Sequence, residues 1–151
     1  MLAHAVTDLR AYLLGRWRLS RRIVDHGRGV TGTFDGEALF TPRGDDLLYR
    51  EQGVMRLGDF SGSAFRDYLY TFPAPARARV LFDDGHPFHE VDLSQGAAEA
   101  RHLCGADTYH GRYDLDGPAA WTLAWRVTGP HKDLDLTAVY RRPAEAQAAC
   151  R

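Results

Sequence analysis

Potential chemistry concentrates in one stretch of the chain, Phe82 to Tyr113, FDDGHPFHEVDLSQGAAEARHLCGADTYHGRY. Four of the seven histidines lie there (His86, His89, His102 and His110), with Cys104, Asp83, Asp84, Asp107, Tyr109 and Tyr113. Imidazole, thiolate and carboxylate are the donors that a zinc or iron site uses. Their spacing argues against one. His86 and His89 fall on opposite faces of a regular strand unless Pro87 bends it, and no CxxC or HExxH pattern occurs. His102 and Cys104 share a face, with Asp107 beyond the break at Gly105. A thiolate–imidazole pair of Cys104 with His102 or His89 is a second reading, but a lone cysteine usually behaves as a small buried hydrophobe. No Gly-x-Ser-x-Gly elbow is present. The expectation is no metal and no cofactor.

A second polar set is spread over separate strands. Tyr49 and Glu51 share one strand face, and Arg66, Tyr68 and Tyr70 share another. Pointing inward, they would meet His89, His102, Tyr109, Tyr113 and Trp125 around an aromatic interior with a few convergent polar groups, the usual make-up of a ligand pocket. Arg66 would anchor an anion and tyrosine hydroxyls would orient the ligand. The opposite parity, Phe65, Leu69 and Thr71, makes an almost equally good inner face, and with it the interior would simply be packed. Lys132, the single lysine beside eighteen arginines, sits in the turn Gly129–Asp133. It is either a ligand-facing ammonium at a rim or half of a surface pair with Asp133 or Asp84. Lysine and arginine are not interchangeable at a confined site. The candidate ligand-binding set is therefore Tyr49, Glu51, Arg66, Tyr68, His89, His102, Tyr109, Tyr113, Trp125 and Lys132.

The elements that must position these residues are read from periodicity. Ala3–Leu14 has Val6, Leu9 and Leu13 at helical spacing, with Gly15 as a stop. From Gly15 onward the period is two. Strands are expected at Arg16–Asp25, Val30–Thr41, Leu47–Met55, Ala64–Phe72, Arg79–Phe82, Pro87–Leu93, Glu99–Leu103, Thr108–Asp116, Ala120–Thr128 and Leu134–Arg142. Gly32 and Gly36 suggest a bend or bulge, and Pro73–Ala76 breaks the pattern. On the strand after Gly105, Tyr109, Tyr113 and Leu115 oppose His110, Arg112 and Asp114, so His110 faces water. Residues 143–151 read as a frayed tail containing the second cysteine, Cys150.

With 151 residues the chain is most simply one domain, residues 1–142. A net charge of −1 and a pI near 6.6 argue against nucleic acid as a partner, since phosphate binding needs a basic face. Two cysteines make no disulfide framework, and neither a secretory leader nor an apolar membrane span is evident, so a cytoplasmic setting is expected.

Gly15-Arg16-Trp17, at the start of the first strand and after a short helix, resembles the Gly-x-Trp opening of lipocalin-like (calycin) barrels. That resemblance implies an arginine from the last strand packed over Trp17; Arg141 and Arg142 are the candidates. The segments Leu14–Asp25, Asp83–His89, His102–Tyr109, Trp121–Asp133 and Tyr140–Arg142 resemble an uncharacterised bacterial domain-of-unknown-function family, which implies a barrel and brings no catalytic residues. The fold expected is all-β: a closed antiparallel up-and-down barrel of about ten strands, with one short helix capping an end. The partner expected is a small molecule that is partly aromatic or apolar and anionic at one end; a homodimer is compatible with the sequence. Two other readings are a cofactor-free lyase, isomerase or cyclase using Glu51 or His102, and a structural module with a filled interior.

Overall fold

The structure is a computed structural model that describes residues 3–144. Cys150 lies outside the described residues, as does most of the expected tail. One helix, α1 (Leu9–Leu13), precedes ten strands. They are β1 (Gly15–Asp25), β2 (Val30–Arg43), β3 (Asp46–Leu57), β4 (Phe60–Ala74), β5 (Arg77–Phe82), β6 (Pro87–Asp92), β7 (Ala97–Cys104), β8 (Asp107–Leu115), β9 (Ala120–Thr128) and β10 (Asp133–Arg141). Each strand pairs antiparallel with its chain neighbour except β6 with β7, and β1 also pairs with β10. The order β6-β5-β4-β3-β2-β1-β10-β9-β8-β7 curls the meander into a barrel. At the β6/β7 seam rings replace the ladder: His102 of β7 stands edge-on to Phe88 of β6 at 5.1 Å.

Alternation explains the strands. In β9, Trp121, Leu123, Trp125 and Val127 are buried while every second residue is less so. Such a pattern suits a pleated sheet with one face in a core. Gly32 and Gly36 lie in uninterrupted register with both neighbouring strands, so the expected bulge is absent there. Their role is close approach instead. A Cβ on Gly36 would lie 2.0 Å from the Gln52 carbonyl oxygen and 2.6 Å from the Cα of Gly53. The break expected at Pro73 is also displaced. β4 runs on to Ala74, and Pro73 falls where the β4–β5 register shifts, where its missing N–H removes no ladder bond.

The helix is shorter than the periodicity of Ala3–Leu14 suggests. Asp8 is its N-cap, accepting a hydrogen bond from the Ala11 N–H at 3.0 Å, and so fixes where it starts. The segment before it is held otherwise, the His4 N–H donating to the Leu115 carbonyl at 3.0 Å. Leu9 and Leu13 are buried and close one end of the barrel over Trp17, Phe40 and Trp121. In that half rings pack on one another: Trp121 stacks on Tyr140 with centroids 3.7 Å apart, and Trp17 meets Trp121 edge-on at 6.1 Å.

Arg142, rather than Arg141, covers Trp17. Its guanidinium lies 3.7 Å from the ring centroid and donates to the carbonyls of Arg16, Tyr12 and Leu14 at 2.8–2.9 Å. The indole N–H of Trp17 donates to the Leu13 carbonyl at 2.8 Å. One side chain thus ties the last strand to the α1–β1 junction. Arg142→Ala is expected to lower stability by about 2 kcal/mol in urea unfolding. Arg142→Lys should recover less than half of that, because an ammonium cannot reproduce the planar fork.

Candidate functional site

The half of the barrel away from α1 is not filled. It holds a cavity of about 430 Å³, whose lining reaches Met55 and Ala64 beside the β3–β4 turn and Cys104 beside the β7–β8 turn. Nine of the ten candidate residues line it: Tyr49, Glu51, Arg66, Tyr68, His89, His102, Tyr109, Tyr113 and Trp125. The inward face of β4 is the one carrying Arg66, Tyr68 and Tyr70. Tyr70 is buried, while Phe65 on the opposite parity is 67% exposed and reaches only the rim. The parity that would fill the interior with Phe65, Leu69 and Thr71 is therefore not the inward one.

The floor of the cavity carries a buried charged network. Glu51 sits opposite Arg66 in the β3–β4 register, yet its carboxylate turns to Arg21 of β1. Arg21 Nη1 donates to Oε2 at 2.7 Å and Nη2 to Oε1 at 2.9 Å. The Tyr49 hydroxyl also donates to Oε1, at 2.7 Å, and lies 2.9 Å from the Tyr140 hydroxyl, which must then be the donor to Tyr49. Burial pushes the Glu51 carboxyl up, but Arg21 and Tyr49 outweigh it and hold the group below its ordinary value. Burial drives Tyr49 well above its ordinary value, so it stays a protonated donor. Glu51 is therefore an ionised, fully partnered carboxylate and a weak base.

The middle of the cavity is shaped by an irregularity in β6. Val80 pairs with His89 and Leu81 with Pro87, so Phe88 is an extra residue on its strand. The bulge turns two successive side chains inward, and Phe88 and His89 are both buried. Phe88 stacks on Phe82 (4.7 Å) and Trp125 (5.2 Å) and meets His102 edge-on. Beside Trp125, Gly111 of β8 has to lack a side chain, since a Cβ there would lie 2.5 Å from the indole. His89 Nε2 is 2.7 Å from the Tyr113 hydroxyl, while Nδ1 is buried with no partner. Burial, with His102 nearby, lowers its pKa to about 3. The ring is neutral at neutral pH.

At the mouth stands Arg66. Its only side-chain hydrogen bond is from Nη1 to the Tyr68 hydroxyl, at 3.4 Å, and no carboxylate lies within ion-pair distance among the described residues. Other arginines on the barrel strands are paired, Arg50 with Asp67 at 2.6 Å and Arg112 with Asp114 at 3.0 Å, and Arg21, the other arginine in the cavity lining, is held by Glu51.

Lys132 is the candidate that lies outside the lining. It meets neither Asp133, which pairs with Arg126, nor Asp84, which pairs with His86. Its ammonium donates to the Tyr109 hydroxyl at 3.3 Å and lies 3.4 Å from Asp107. Tyr109, with Asp107, raises its pKa. Lys132 thus steadies a rim tyrosine because Asp107 and the β9–β10 turn share one end of the barrel. Cys104 is exposed at the rim, contrary to the buried hydrophobe expected, because β7 ends there. Asp107 is engaged by Lys132, and no group of three or more His, Cys, Asp and Glu side chains fit to hold a metal occurs among the described residues. His110 faces solvent as parity requires and pairs with Glu99.

Arg21, Tyr140 and Phe88 are lining residues absent from the candidate set. Parity carried a signal for Arg21, which alternates in phase with Trp17, Leu19 and Ile23, and for Tyr140, in phase with Leu136 and Ala138. None existed for Phe88, whose inward turn depends on the bulge.

Fold and site together define an up-and-down β-barrel with an internal, aromatic-walled cavity and a cationic mouth. The chain belongs to the family of unknown function DUF6314, which it matches over residues 13–142. No curated protein matches it. Among solved structures it is similar to the S-type phycobiliprotein lyase CPES from Guillardia theta, at 8% identity and a TM-score of 0.64, covering 89% of this chain and 90% of that one. It is also similar to a DUF3598-family protein of unknown function from Nostoc punctiforme, at 13% identity and a TM-score of 0.60. There the match covers 93% of this chain and 51% of the other, so the chain spans about half of that protein. At these identities the likeness is one of fold. No helix among the described residues is long and apolar enough to cross a membrane.

Proposed function

We propose that the protein binds a compact, partly aromatic small molecule with one anionic end, held inside the barrel with that end at Arg66. The observation that carries this reading is Arg66 itself, a guanidinium at the mouth of an apolar cavity with no carboxylate within ion-pair distance among the described residues. A carboxylate, sulfonate or phosphate would supply the missing partner, and the rings of Tyr68, Phe82, Phe88 and Trp125 would cover the remainder. The setting proposed is the cytoplasm, from the charge and cysteine content. Catalysis in the same barrel has less support. Glu51 is saturated by Arg21 and Tyr49 and is a poor proton acceptor, and the likeness to a lyase extends to the fold alone.

Two fluorescent probes that differ by a sulfonate test the proposal: 1-anilinonaphthalene-8-sulfonate and N-phenyl-1-naphthylamine. Saturable binding of the sulfonate is expected at one site. Arg66→Gln should weaken it about 5–10-fold, as for a lost charge-assisted hydrogen bond, and leave the neutral probe within about twofold. Equal losses for both probes, or no saturable binding by the wild-type protein, would overturn the reading.

A further inference from the structure

A site that recognised only an acid and an apolar body would have no use for a buried, unpaired polar atom, and this cavity contains one. His89 is 7% exposed, lines the cavity, and leaves Nδ1 without a hydrogen-bond partner. An unsatisfied buried ring nitrogen carries a full desolvation cost, and most buried polar groups in folded proteins avoid it. The surroundings offer nothing to offset that cost. The neighbours of the ring are Phe88 at 4.4 Å and Trp125 at 5.0 Å, and its other nitrogen is already taken by Tyr113. The β6 bulge that brings Phe88 inward also brings this imidazole in. Without it, alternation would place the two residues on opposite faces of the sheet.

We infer that His89 is the specificity residue of the cavity, reading a hydroxyl carried by the ligand at the end opposite its acid, so that the ligand class is a hydroxyaryl acid. This rests on the binding reading above and narrows it. The two polar points lie at different depths: Arg66 is exposed at the mouth, and His89 is buried beyond the rings of Tyr68 and Phe88, which lie 5.5 Å apart. A flat ring system between an acid and a hydroxyl would present its charge, apolar body and hydrogen bond in that order. A hydroxyl suits either tautomer. If Tyr113 donates to Nε2, the Nδ1–H donates to the ligand oxygen; if Nε2–H donates to Tyr113, Nδ1 accepts the ligand O–H.

Calorimetric titration of the full chain with two pairs of acids separates this inference from the one beneath it. The pairs are 2-naphthoate with 6-hydroxy-2-naphthoate, and biphenyl-4-carboxylate with 4′-hydroxybiphenyl-4-carboxylate. In at least one pair the hydroxyl should raise affinity about 10-fold in the wild-type protein and less than about twofold in His89→Phe. A wild-type readout guards against a variant that folds poorly: in ¹⁵N spectra of the imidazoles, the hydroxy acid should shift Nδ1 of His89 and the parent acid should not. Parent acids that bind with no gain from the hydroxyl, or a gain undiminished in His89→Phe, would overturn the inference and leave the anion reading standing. Failure of all four acids to bind would sink both.

Discussion

Replacing Glu51 with alanine is expected to destabilise the barrel by about 3–5 kcal/mol, the largest effect of any single change at the site. The Arg21 guanidinium would keep its burial and lose the carboxylate that pairs with it, and the Tyr49 hydroxyl would lose its acceptor. The asymmetry of buried pairs then makes a second expectation. The double variant Arg21→Met/Glu51→Leu removes both charges together and should recover most of the loss, because no uncompensated charge remains. Urea unfolding of Arg21→Met, Glu51→Leu and the double variant, beside the wild-type protein, measures the coupling directly. A Glu51→Ala loss below about 1 kcal/mol would mean that water reaches Arg21 freely, and the floor of the cavity would then be wet rather than closed.

Acid is expected to weaken the fold in a window that belongs to His89. Its pKa in the folded protein is about 3, below the ordinary 6.5, because burial penalises the imidazolium. The unfolded chain therefore takes up a proton below pH 6.5 that the folded chain refuses until near pH 3. Stability from this group is whole above pH 6.5 and falls by about 1.4 kcal/mol per pH unit below it, or roughly 3 kcal/mol by pH 4. Glu51 acts lower. Its folded pKa lies below its ordinary 4.5, so its contribution is intact above that value and disappears only as pH falls through the folded one. Between pH 6.5 and 4.5 the His89 contribution is thus separable. Urea midpoints at pH 7, 6 and 5 should fall more steeply for the wild-type protein than for His89→Phe, with a pH-independent offset for the hydrogen bond that Tyr113 loses. Parallel slopes for the two proteins would show that His89 can be protonated without unfolding.

Much of this architecture was legible in the sequence because it depends on neighbours along the chain. Alternation is a property of the pleat, so it located all ten strands, with β9 matching residue for residue, and it placed Tyr109, Tyr113 and Trp125 inward and His110 outward. The arginine over Trp17 was implied by the resemblance of Gly15-Arg16-Trp17 to lipocalin-like barrels, which left Arg141 and Arg142 open, and the cover is Arg142. Turn residues marked the hairpins for the same local reason.

What alternation could not supply was anything set across strands. Period two offers two faces for β4, and only the register with β3, which puts Arg66 opposite Glu51, showed which one the barrel encloses. The Phe88 bulge inverts the face of everything before it on β6, and it arises from pairing with β5 rather than from the residues PFHEVD alone. Arg21 joins Glu51 across thirty positions of sequence, and Lys132 meets Asp107 rather than its neighbour Asp133. Those partnerships exist only once the sheet has curled and set its register. The sequence by itself therefore determined a β-meander with one closed end. The tertiary structure decided that the other end holds a cavity, with one arginine free at its mouth and one histidine nitrogen unpaired in its wall, because curvature and register, which no local pattern encodes, choose which side chains meet.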